Sequence, residues 1–505
     1  MQAYISFLFV FASIKHAAGK NVLLMIADDA GLESPIYGNF QIKTPNINRL
    51  GKRSVIFDSA FTSVSSCSPS RSTILTGLPS HQNGMYGLHN GYHHFNCFSN
   101  IYSLPGILSK NNITTGIIGK KHIGPENVFR FDFAETEENN SIMQVGRNIT
   151  KIKLLVRNFL SSVSGNNFFL YVAFHDPHRC GHTHPQYGQF CEKFGNGQEG
   201  MGLIPDWVPE TYSPESVNVP YFIPDTETVK NEIANQYTTI SRLDQGIGLV
   251  IKELEDFGFL NDTLIIYSSD NGIPFPNGRT NAYEPGMIEP LLLSSPFHPE
   301  SHGKYSTSLA SLLDITPTIL DWFSIQYPEY KIFPNYERVN LTGKSLLSYL
   351  KNTFEGEEEY IYFSHTMHEA TMYYPIRTIR NERFKLIHNL NSGMPFPIDQ
   401  DFYLSPTFQE ILNKTLHNET LHWYKTLKDY YFRPEWELFD LKYDRMEKYN
   451  VAEIKSYRKV FDKLKSKLFE WQKNTSDPWL CSPHRVLQDS GPHKHDHECF
   501  PLYNS

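Results

Sequence analysis

A cysteine in a serine-rich segment is the residue whose type and spacing carry the most chemical information. Cys67 is followed by Pro69 and Arg71, and Thr76 and Gly77 close the segment. A cysteine side chain is a source of a covalent nucleophile, which divides one difficult step into two easier ones. Taken alone, the same cysteine is equally well explained as a structural or disulfide-bonded residue in a loop. Residues elsewhere in the chain must therefore distinguish the two interpretations.

Four apolar, β-rich runs are predicted to be buried strands. They lie at residues 21–27, 115–119, 168–174 and 263–268. In open α/β sheets, sites form beyond the carboxyl ends of the strands. Each of the four runs is followed by polar residues that are able to do chemistry. We therefore expect these residues to share one site at one edge of a sheet.

Two of these strand ends are acidic. Asp28 and Asp29 follow the first run, and Asp270 and Asn271 follow the last. Carboxylate and amide oxygens are hard ligands that suit Ca²⁺ or Mg²⁺ better than zinc, and three carboxylates in one pocket repel each other without a cation. Each pair alone is also common in turns and helix caps. Together, at the ends of two strands, they predict a metal site.

The other two strand ends are basic. Lys120 and His122 follow the second run, and His178 follows the third. Lysine supplies a point charge for an anionic oxygen, and histidine transfers protons near neutral or mildly acidic pH. Arg279, shortly after Asn271, is a candidate clamp for an anion. Singly, these residues are also explained as solvated surface charges or as histidines of the core.

The alternation of strands and helices predicts an α/β fold with a large, mostly parallel sheet flanked by helices, over residues 19–374. A long amphipathic helix is predicted at 232–257. From residue 375 to 505 we expect a smaller α+β domain. Its predicted elements are a strand pair within 377–390 and a helix at 454–473.

Length and charge limit the class of protein. The chain has 505 residues, which suggests two domains, and its 40% hydrophobic content is ample for packed cores. A net charge of −8 argues against a nucleic-acid-binding protein. Protonation of all 21 histidines would make the net charge +13, which would favour an anionic substrate in an acidic compartment. Many of these histidines are equally explained as buried or surface residues without that role.

The N-terminus predicts export. An apolar run at 5–12 is followed by small residues, which together predict a signal peptide over residues 1–18, although a positive charge is missing from its start. Eight Asn-x-Ser/Thr sequons predict glycosylation of some of Asn112, Asn139, Asn148, Asn261, Asn340, Asn413, Asn418 and Asn474. The His-rich segment 492–497 is interpreted as a solvated tail, with metal binding as the alternative.

Six cysteines in an oxidising compartment predict disulfides. Cys180 and Cys191 are close enough in sequence to close a small loop, and Cys481 and Cys499 to staple the C-terminal tail. Cys97 is then left unpaired, since Cys67 is reserved for chemistry. The sequence alone does not prove this pairing.

These features together resemble the sulfatase family, and within it the branch of sulfamidases. The cysteine motif is typical of sulfatases in general, whereas longer segments carry the more specific likeness. Those segments are 62–66, 81–87, 116–124, 174–181, 270–281 and 394–402. The resemblance extends from Asn21 to the C-terminal cysteines and implies the alkaline phosphatase-like fold of that family.

The resemblance also implies roles for the candidate residues. Cys67 becomes formylglycine, through a formylglycine-generating enzyme, and its hydrated aldehyde is the nucleophile. The implied ligands of one Ca²⁺ are Asp28, Asp29, Asp270 and Asn271. Arg71 stabilises the hydrated aldehyde, and Lys120 and Arg279 contact the sulfate. His178 protonates the departing nitrogen, and His122 assists collapse of the sulfated intermediate.

The activity implied by the resemblance is hydrolysis of the N-linked sulfate of non-reducing-end glucosamine in heparan sulfate, by a homodimer in the lysosome. The nearest alternative is an O-sulfatase, which would share every one of these residues. A phosphatase or phosphodiesterase of the alkaline phosphatase superfamily would use Zn²⁺ with Ser or Thr as nucleophile, which Cys67 argues against. A non-catalytic glycan-binding protein is disfavoured by the intact set of site residues.

Overall fold

The structure is a computed structural model that describes residues 20–140, 145–163, 165–181, 187–334, 338–351, 359–487 and 499–501. The predicted signal peptide at 1–18 and the His-rich segment at 492–497 lie outside these residues. None of the helices in the described ranges is long and apolar enough to cross a membrane.

A nine-stranded mixed sheet forms the centre of the molecule, in the order β4-β3-β5-β1-β6-β7-β2-β8, with β9 paired to β2. Its strands are β1 Asn21–Asp28, β2 Val55–Phe61, β3 Thr114–Gly119, β4 Phe133–Thr136, β5 Phe168–Pro177, β6 Thr263–Ser269, β7 Ile288–Ser294, β8 Lys304–Ser306 and β9 Ala310–Ser311. The strands from β4 to β6 are parallel to one another, and β7 runs antiparallel to both β6 and β2. The expectation of a mostly parallel sheet is confirmed.

Helices cover both faces of this sheet, as the alternating sequence predicts. In chain order, the α-helices within the described ranges are α1 Pro45–Gly51, α2 Cys67–Thr76, α3 Ser80–Asn83, α4 Leu104–Lys110, α5 Glu137–Asn140, α6 Ile149–Ser162, α7 Glu227–Asp256, α8 Glu284–Met287, α9 Ile315–Phe323, α10 Leu347–Leu350, α11 Gln400–Tyr403, α12 Pro406–Leu416, α13 Leu427–Tyr431 and α14 Arg458–Asn474. The helix predicted at 232–257 is α7. It begins earlier because the side chain of Thr226 caps it by accepting the N–H of Val229.

The two faces of the sheet bury two separate cores. Leu24 and Ile26 of β1 pack on one face with Ile74 of α2, whereas Met25 packs on the other face with Phe159 of α6. Successive side chains of a strand point to opposite faces, so a central strand covered on both sides is apolar at nearly every position. β1 is accordingly buried along its whole length, including its last residue, Asp28.

A second, four-stranded antiparallel sheet lies in the C-terminal part. Its strands, in order across the sheet, are β10 Ile361–His365, β11 Ile376–Arg380, β12 Phe384–Asn389 and β13 Trp436–Asp440. One face packs on α14 through residues spaced three and four apart, such as Leu464 and Leu468. The other face packs, through Phe363, in one cluster with Phe61 and Met287 of the first sheet region.

This arrangement confirms the predicted α/β fold with a smaller antiparallel sheet. The predicted strand pair within 377–390 is β11 and β12, and the helix predicted at 454–473 is α14, preceded by a 3₁₀ turn at Lys455–Tyr457. The division of the chain at residue 375 stays a prediction, since the first strand of the second sheet starts at Ile361.

Two disulfides join Cys180 to Cys191 and Cys481 to Cys499, and Cys67 and Cys97 are free thiols, both buried. The pairing considered from the sequence is thus confirmed. The second disulfide accompanies a short two-stranded sheet of β14 Arg485–Leu487 and β15 Cys499–Pro501.

Candidate active site

The candidate nucleophile is the first residue of helix α2. Ser66, in extended conformation, precedes Cys67, and the helix ends at Gly77, whose left-handed φ of 70° suits a glycine. Cys67 is 1% exposed. Arg71 lies one turn further along and therefore on the same face of the helix. The spacing noted in the sequence thus places a cysteine and a guanidinium side by side.

The two acidic pairs lie next to each other because β1 and β6 are parallel neighbours that pair up to Ala27 and Ser269, directly before Asp28 and Asp270. The backbone N–H of Asp29 donates to Asp270 Oδ1 at 3.2 Å, and Asn271 Nδ2 donates to Asp29 Oδ1 at 2.5 Å. Asp28 and these three residues are fully buried. Asp29 has a φ of 64°, a left-handed conformation that is uncommon outside glycine and is often found at functional sites.

This acidic cluster fits a divalent cation. Carboxylate oxygens of Asp28, Asp29 and Asp270 lie within 4.8 Å of one another. Asn271 Oδ1 is buried and has no hydrogen-bond partner among the described residues. Burial raises the pKa of Asp29 to about 7 and that of Asp270 well above its usual range, so their negative charges lack sufficient compensation. Hard oxygen donors of this kind are those that Ca²⁺ or Mg²⁺ prefers.

Two basic side chains border the cluster. Arg71 Nη2 lies 2.8 Å from Asp270 Oδ2 and 3.4 Å from Asp28 Oδ1, while its Nη1 donates to the carbonyl oxygen of Lys120 at 2.9 Å. Lys120 Nζ in turn pairs with Asp28. Burial raises the pKa of Asp28, but the positive charges of Lys120 and Arg71 outweigh burial and hold that pKa well below its usual range. Asp28 is therefore the carboxylate whose charge the protein itself compensates.

Cys67 is poorly placed to act as a thiolate. Its sulfur belongs to a group with Asp28 and His178 whose ligand atoms lie within 4.8 Å of one another. Burial raises the pKa of the Cys67 thiol well above its usual range, and the carboxylates of Asp28 and Asp270 raise it further, although Lys120 lowers it. Reactive cysteines occupy electropositive sites that lower the thiol pKa. This site therefore disfavours an unmodified cysteine as the nucleophile.

His178 and Arg279 form the opposite border. His178 Nδ1 bonds to the carbonyl oxygen of Arg179 at 2.7 Å, and its Nε2 lies 3.0 Å from Arg279 Nη1. Arg279 Nη1 also donates to Asp29 Oδ2 at 2.6 Å. Burial lowers the pKa of His178 well below its usual range, and the charge of Lys120 lowers it further. Burial in this position disfavours the charged form of the imidazole, whose Nε2 faces Arg279 and Asp29.

The loop that carries His178 is fixed by a buried ion-pair network. Asp176 Oδ1 accepts from Arg147 at 2.5 Å, and both of its oxygens accept from Arg242, at 2.6 and 2.8 Å. Bidentate pairing between arginine and carboxylate restricts orientation strongly. The backbone that follows β5 is therefore held at the edge of the sheet where His178 is needed.

His175 and its partner Glu137, near this border, were not assigned a role from the sequence, whereas His122 was. His175 Nδ1 bonds to Glu137 Oε1 at 2.8 Å, and His175 Nε2 lies 3.8 Å from Asp28 Oδ2. His122 donates its backbone N–H to Glu138 Oε1 at 2.8 Å and is buried. Burial lowers the pKa of His122 well below its usual range, followed by the charge of Lys120. His175 directly follows the predicted apolar run at 168–174 and lies within β5 in the structure, but nothing in the sequence pointed to its partner Glu137.

Two carboxylates from the C-terminal part were also missed. Asp399 accepts from Arg279 Nε and Nη2 at 3.2 and 2.9 Å, and Asp401 accepts from the same Nη2. His368 Nε2 lies 3.8 Å from Asp399, and its Nδ1 bonds to Ser66 Oγ at 2.8 Å. These residues follow no strand of the main sheet, so the strand-end rule could not find them. The segment 394–402 had been noted only for its likeness to a family.

The predicted site residues thus form one group. Fold and site together define a hydrolase of the alkaline phosphatase-like architecture, in which a buried acidic cluster and basic side chains surround a cysteine at the start of a helix. The chain belongs to the sulfatase family, whose model, described as "Sulfatase", matches residues 20–325. The resemblance inferred from the sequence is confirmed.

Known proteins support this assignment. The chain is 56% identical over 490 residues to N-sulphoglucosamine sulphohydrolase of Homo sapiens, which covers 97% of this chain and 96% of the relative. It is 26% identical over 473 residues to an ulvan-active sulfatase of Formosa agariphila, with coverage of 89% and 74%.

Solved structures share the fold. One, described as a complex with its substrate D-glucosamine-2-N,6-O-disulfate, matches with a TM-score of 0.64 at 20% identity and covers 91% of this chain and 98% of that chain. A phosphonate monoester hydrolase of Agrobacterium radiobacter matches with a TM-score of 0.58 at 18% identity, with coverage of 90% and 96%. The architecture alone is therefore compatible with more than one chemistry, as is usual for a widely used fold.

Proposed function

We propose that this protein hydrolyses the N-linked sulfate of non-reducing-end glucosamine in oligosaccharides derived from heparan sulfate, and releases sulfate and a free amine. The observation that carries this proposal is the 56% identity, over 97% of the chain, to a human enzyme named for that substrate. The connected group of site residues supports it, because the chemistry of the family needs a nucleophile, a cation site and a proton donor together.

The nucleophile we propose is Cys67 after conversion to formylglycine. The raised pKa of its thiol argues against direct use of the sulfur. A hydrated aldehyde supplies one hydroxyl for attack and a second to expel the product. Arg71, one helical turn away and fully buried, is suited to hold that group in position. The conversion requires a formylglycine-generating enzyme during maturation.

We propose Asp28, Asp29, Asp270 and Asn271 as the ligands of one Ca²⁺. When bound, the cation supplies positive charge that polarises the sulfate group and stabilises charge in the transition state. Lys120 lies on the Asp28 side of the cluster and Arg279 on the Asp29 side. Both are suited to contact sulfate oxygens from opposite directions.

His178 is the proposed proton donor to the departing nitrogen. Its Nε2 is directed at the site, while its Nδ1 is fixed by a backbone carbonyl. General acid catalysis needs such a group within hydrogen-bond reach of the leaving atom. His122, buried in the field of Lys120 and Asp28, is proposed to assist release of sulfate.

The proposed setting is the lysosome, reached through the secretory pathway, with the enzyme as a homodimer. Two disulfides and eight sequons agree with passage through an oxidising compartment. Protonation of the exposed histidines would reduce the net negative charge of the protein at acidic pH, which suits a polyanionic substrate.

The deciding experiment compares two sugars at mildly acidic pH. Purified protein is given an N-sulfated glucosamine glycoside or its 6-O-sulfated, N-acetylated counterpart, and released sulfate is measured. Release from the N-sulfated sugar alone is expected. Release from the O-sulfated sugar alone would establish the alternative, an O-sulfatase. Mass spectrometry of the Cys67 peptide in the same preparation reports whether the cysteine has been converted, and the Cys67→Ala variant provides the blank.

A further inference from the structure

Asp401 differs from the other carboxylates around the site in its position and exposure. It lies on helix α11, in the C-terminal part of the chain, and accepts a hydrogen bond from Arg279 Nη2 through Oδ1. Its side chain is 10% exposed, whereas that of Asp29 is fully buried and that of Asp399 is 3% exposed. Asp401 is therefore the carboxylate on the open side of Arg279.

The second oxygen of Asp401 lies close to the proposed proton donor. Asp401 Oδ2 is 3.9 Å from His178 Nε2. An atom at an ordinary hydrogen-bond distance of about 2.9 Å from His178 Nε2 can lie at about the same distance from this oxygen. The nitrogen that receives the proton from His178 is thus within reach of Asp401 as well.

The chemistry of that nitrogen decides what a carboxylate does there. The bridging nitrogen of a sulfamate carries an N–H, whereas the bridging oxygen of a sulfate ester carries no hydrogen. A carboxylate only accepts hydrogen bonds. It therefore accepts one from the N–H of a sulfamate, whereas the bridging oxygen of a sulfate ester is itself an acceptor and cannot bond to it. Sites built around such a donor reject analogues that lack it far more strongly than apolar pockets discriminate by size.

The product strengthens the same contact. As the bond from the nucleophile oxygen to sulfur forms, the S–N bond breaks and its electron pair stays on nitrogen, which takes a proton from His178. The resulting amine takes a second proton from water to become an ammonium. A carboxylate beside an ammonium makes a charge-assisted hydrogen bond, which is stronger than a neutral one.

We propose that Asp401 is a specificity-determining residue, which recognises the N–H of the sulfamate and the ammonium of the product and so selects N-linked over O-linked sulfate. This inference rests on the proposed function and concerns the same site. Asp401 touches the sugar nitrogen, whereas Asp399 acts through Arg279.

Asp399 provides the matched control. It accepts from the same guanidinium through Oδ2, but its Oδ1 caps helix α11 by accepting the N–H of Phe402 at 2.9 Å. Among the described residues, no hydrogen bond or ion pair joins Asp399 to His178. Asp399→Asn should weaken the hold on Arg279 while leaving the Asp401 carboxylate near His178 Nε2.

The first test measures binding without turnover. In a Cys67→Ala background, the affinities for methyl glucosaminide and methyl glucoside are measured by calorimetry. Asp401→Ala is expected to weaken the affinity for methyl glucosaminide about 10-fold or more and to leave the affinity for methyl glucoside unchanged. Asp399→Asn should not alter the ratio of the two affinities. Equal weakening of both sugars by Asp401→Ala would mean that this residue binds a shared hydroxyl, and would overturn the inference.

The second test measures selectivity in the converted enzyme. The probes are methyl glucosaminide N-sulfate and methyl glucoside 2-O-sulfate, which differ at the bridging atom. Asp401→Ala should lower kcat/KM for the N-sulfate about 100-fold and should change kcat/KM for the 2-O-sulfate little. The shape-conserving Asp401→Asn should show a smaller loss of kcat/KM for the N-sulfate. If the wild type is active on the N-sulfate and neither variant changes the ratio of kcat/KM between the two probes, the role of Asp401 is refuted and the proposed function is not. A wild type inactive on the N-sulfate despite full conversion of Cys67 would refute the proposed function instead.

Discussion

The Ser70 hydroxyl donates to the backbone carbonyl of Asp270 at 2.5 Å, and both residues are fully buried. This bond ties the helix that begins at Cys67 to the end of β6. Cys67 and the acidic cluster are therefore linked through a short, buried hydrogen bond. Catalytic groups held in this way need little reorganisation when substrate arrives, which favours catalysis by position and charge.

Replacement of Cys67 tests the covalent mechanism. Cys67→Ala should lower sulfate release by at least about a thousandfold, because the proposed nucleophile is removed, whereas the fold should persist. Activity is measured as released sulfate, and folding by thermal melting and circular dichroism. Cys97→Ala is the matched control, since Cys97 is also a buried free cysteine. A Cys67→Ala variant as active as wild type would refute the mechanism.

Removal of one acidic ligand tests the cation site. Asp270→Asn should abolish stoichiometric calcium, because the variant loses one of three carboxylates whose oxygens converge within 4.8 Å. Elemental analysis after gel filtration measures the bound metal. Added calcium should raise the melting temperature of wild type and not that of the variant, because a ligand stabilises only the state that binds it.

The control for this prediction is Asp206→Asn. That carboxylate forms a partly buried ion pair with Lys153 and, within the described residues, has no hydrogen bond or ion pair to the acidic cluster. The Asp206→Asn variant should bind as much calcium per protein molecule as the wild type. Unchanged calcium in Asp270→Asn would argue against this set of ligands.

The acidic cluster could be predicted from the sequence because a simple rule of sheet geometry applies to it. Asp28 and Asp270 follow two strands whose apolar runs are recognisable, and those strands are parallel neighbours. The same rule led to Lys120 and His178. The rule could not predict the direction of β7. This strand is antiparallel to β6, whereas β6 is parallel to β1. Strand direction depends on connections and packing that local patterns do not encode.

Asp399 and Asp401 show where that reasoning stops. They reach the site only because the second sheet packs on the first, through a cluster that includes Phe363 and Met287. Contacts between parts of the chain more than 100 residues apart leave no periodic pattern in either part. Glu137, which holds His175, is likewise distant from it in sequence and comes close only through the fold.

Replacement of His178 tests its role as proton donor. His178→Ala should lower kcat about 100- to 10,000-fold with little change in KM, because general acid catalysis acts in the transition state. The loss should be smaller for an aryl sulfamate, whose leaving group needs less protonation. Steady-state kinetics on both substrates provide the measurement. A raised KM with normal kcat would contradict this role.

His81 links stability to pH. Its ring lies between Ser364 Oγ and Thr475 Oγ1, each at 2.7 Å, and packs edge-on against Trp471. Burial lowers the pKa of His81 to about 4. The unfolded chain takes up this proton below about pH 6.5, whereas the folded protein resists it down to about pH 4, so stability is lost as the pH falls through this window.

His81→Gln should therefore flatten the pH dependence of stability, because glutamine keeps polar contacts but does not titrate. Between pH 6.5 and 4.5, the free energy of unfolding of the wild type should fall by about 2 to 3 kcal/mol more than that of the variant. The reason is that the pKa of His81 is about 6.5 in the unfolded chain and about 4 in the folded protein. Urea denaturation at several pH values measures the difference, and His417→Gln, at an exposed position, is the control that should follow wild type. Parallel wild-type and His81→Gln curves would show that His81 is not the group responsible.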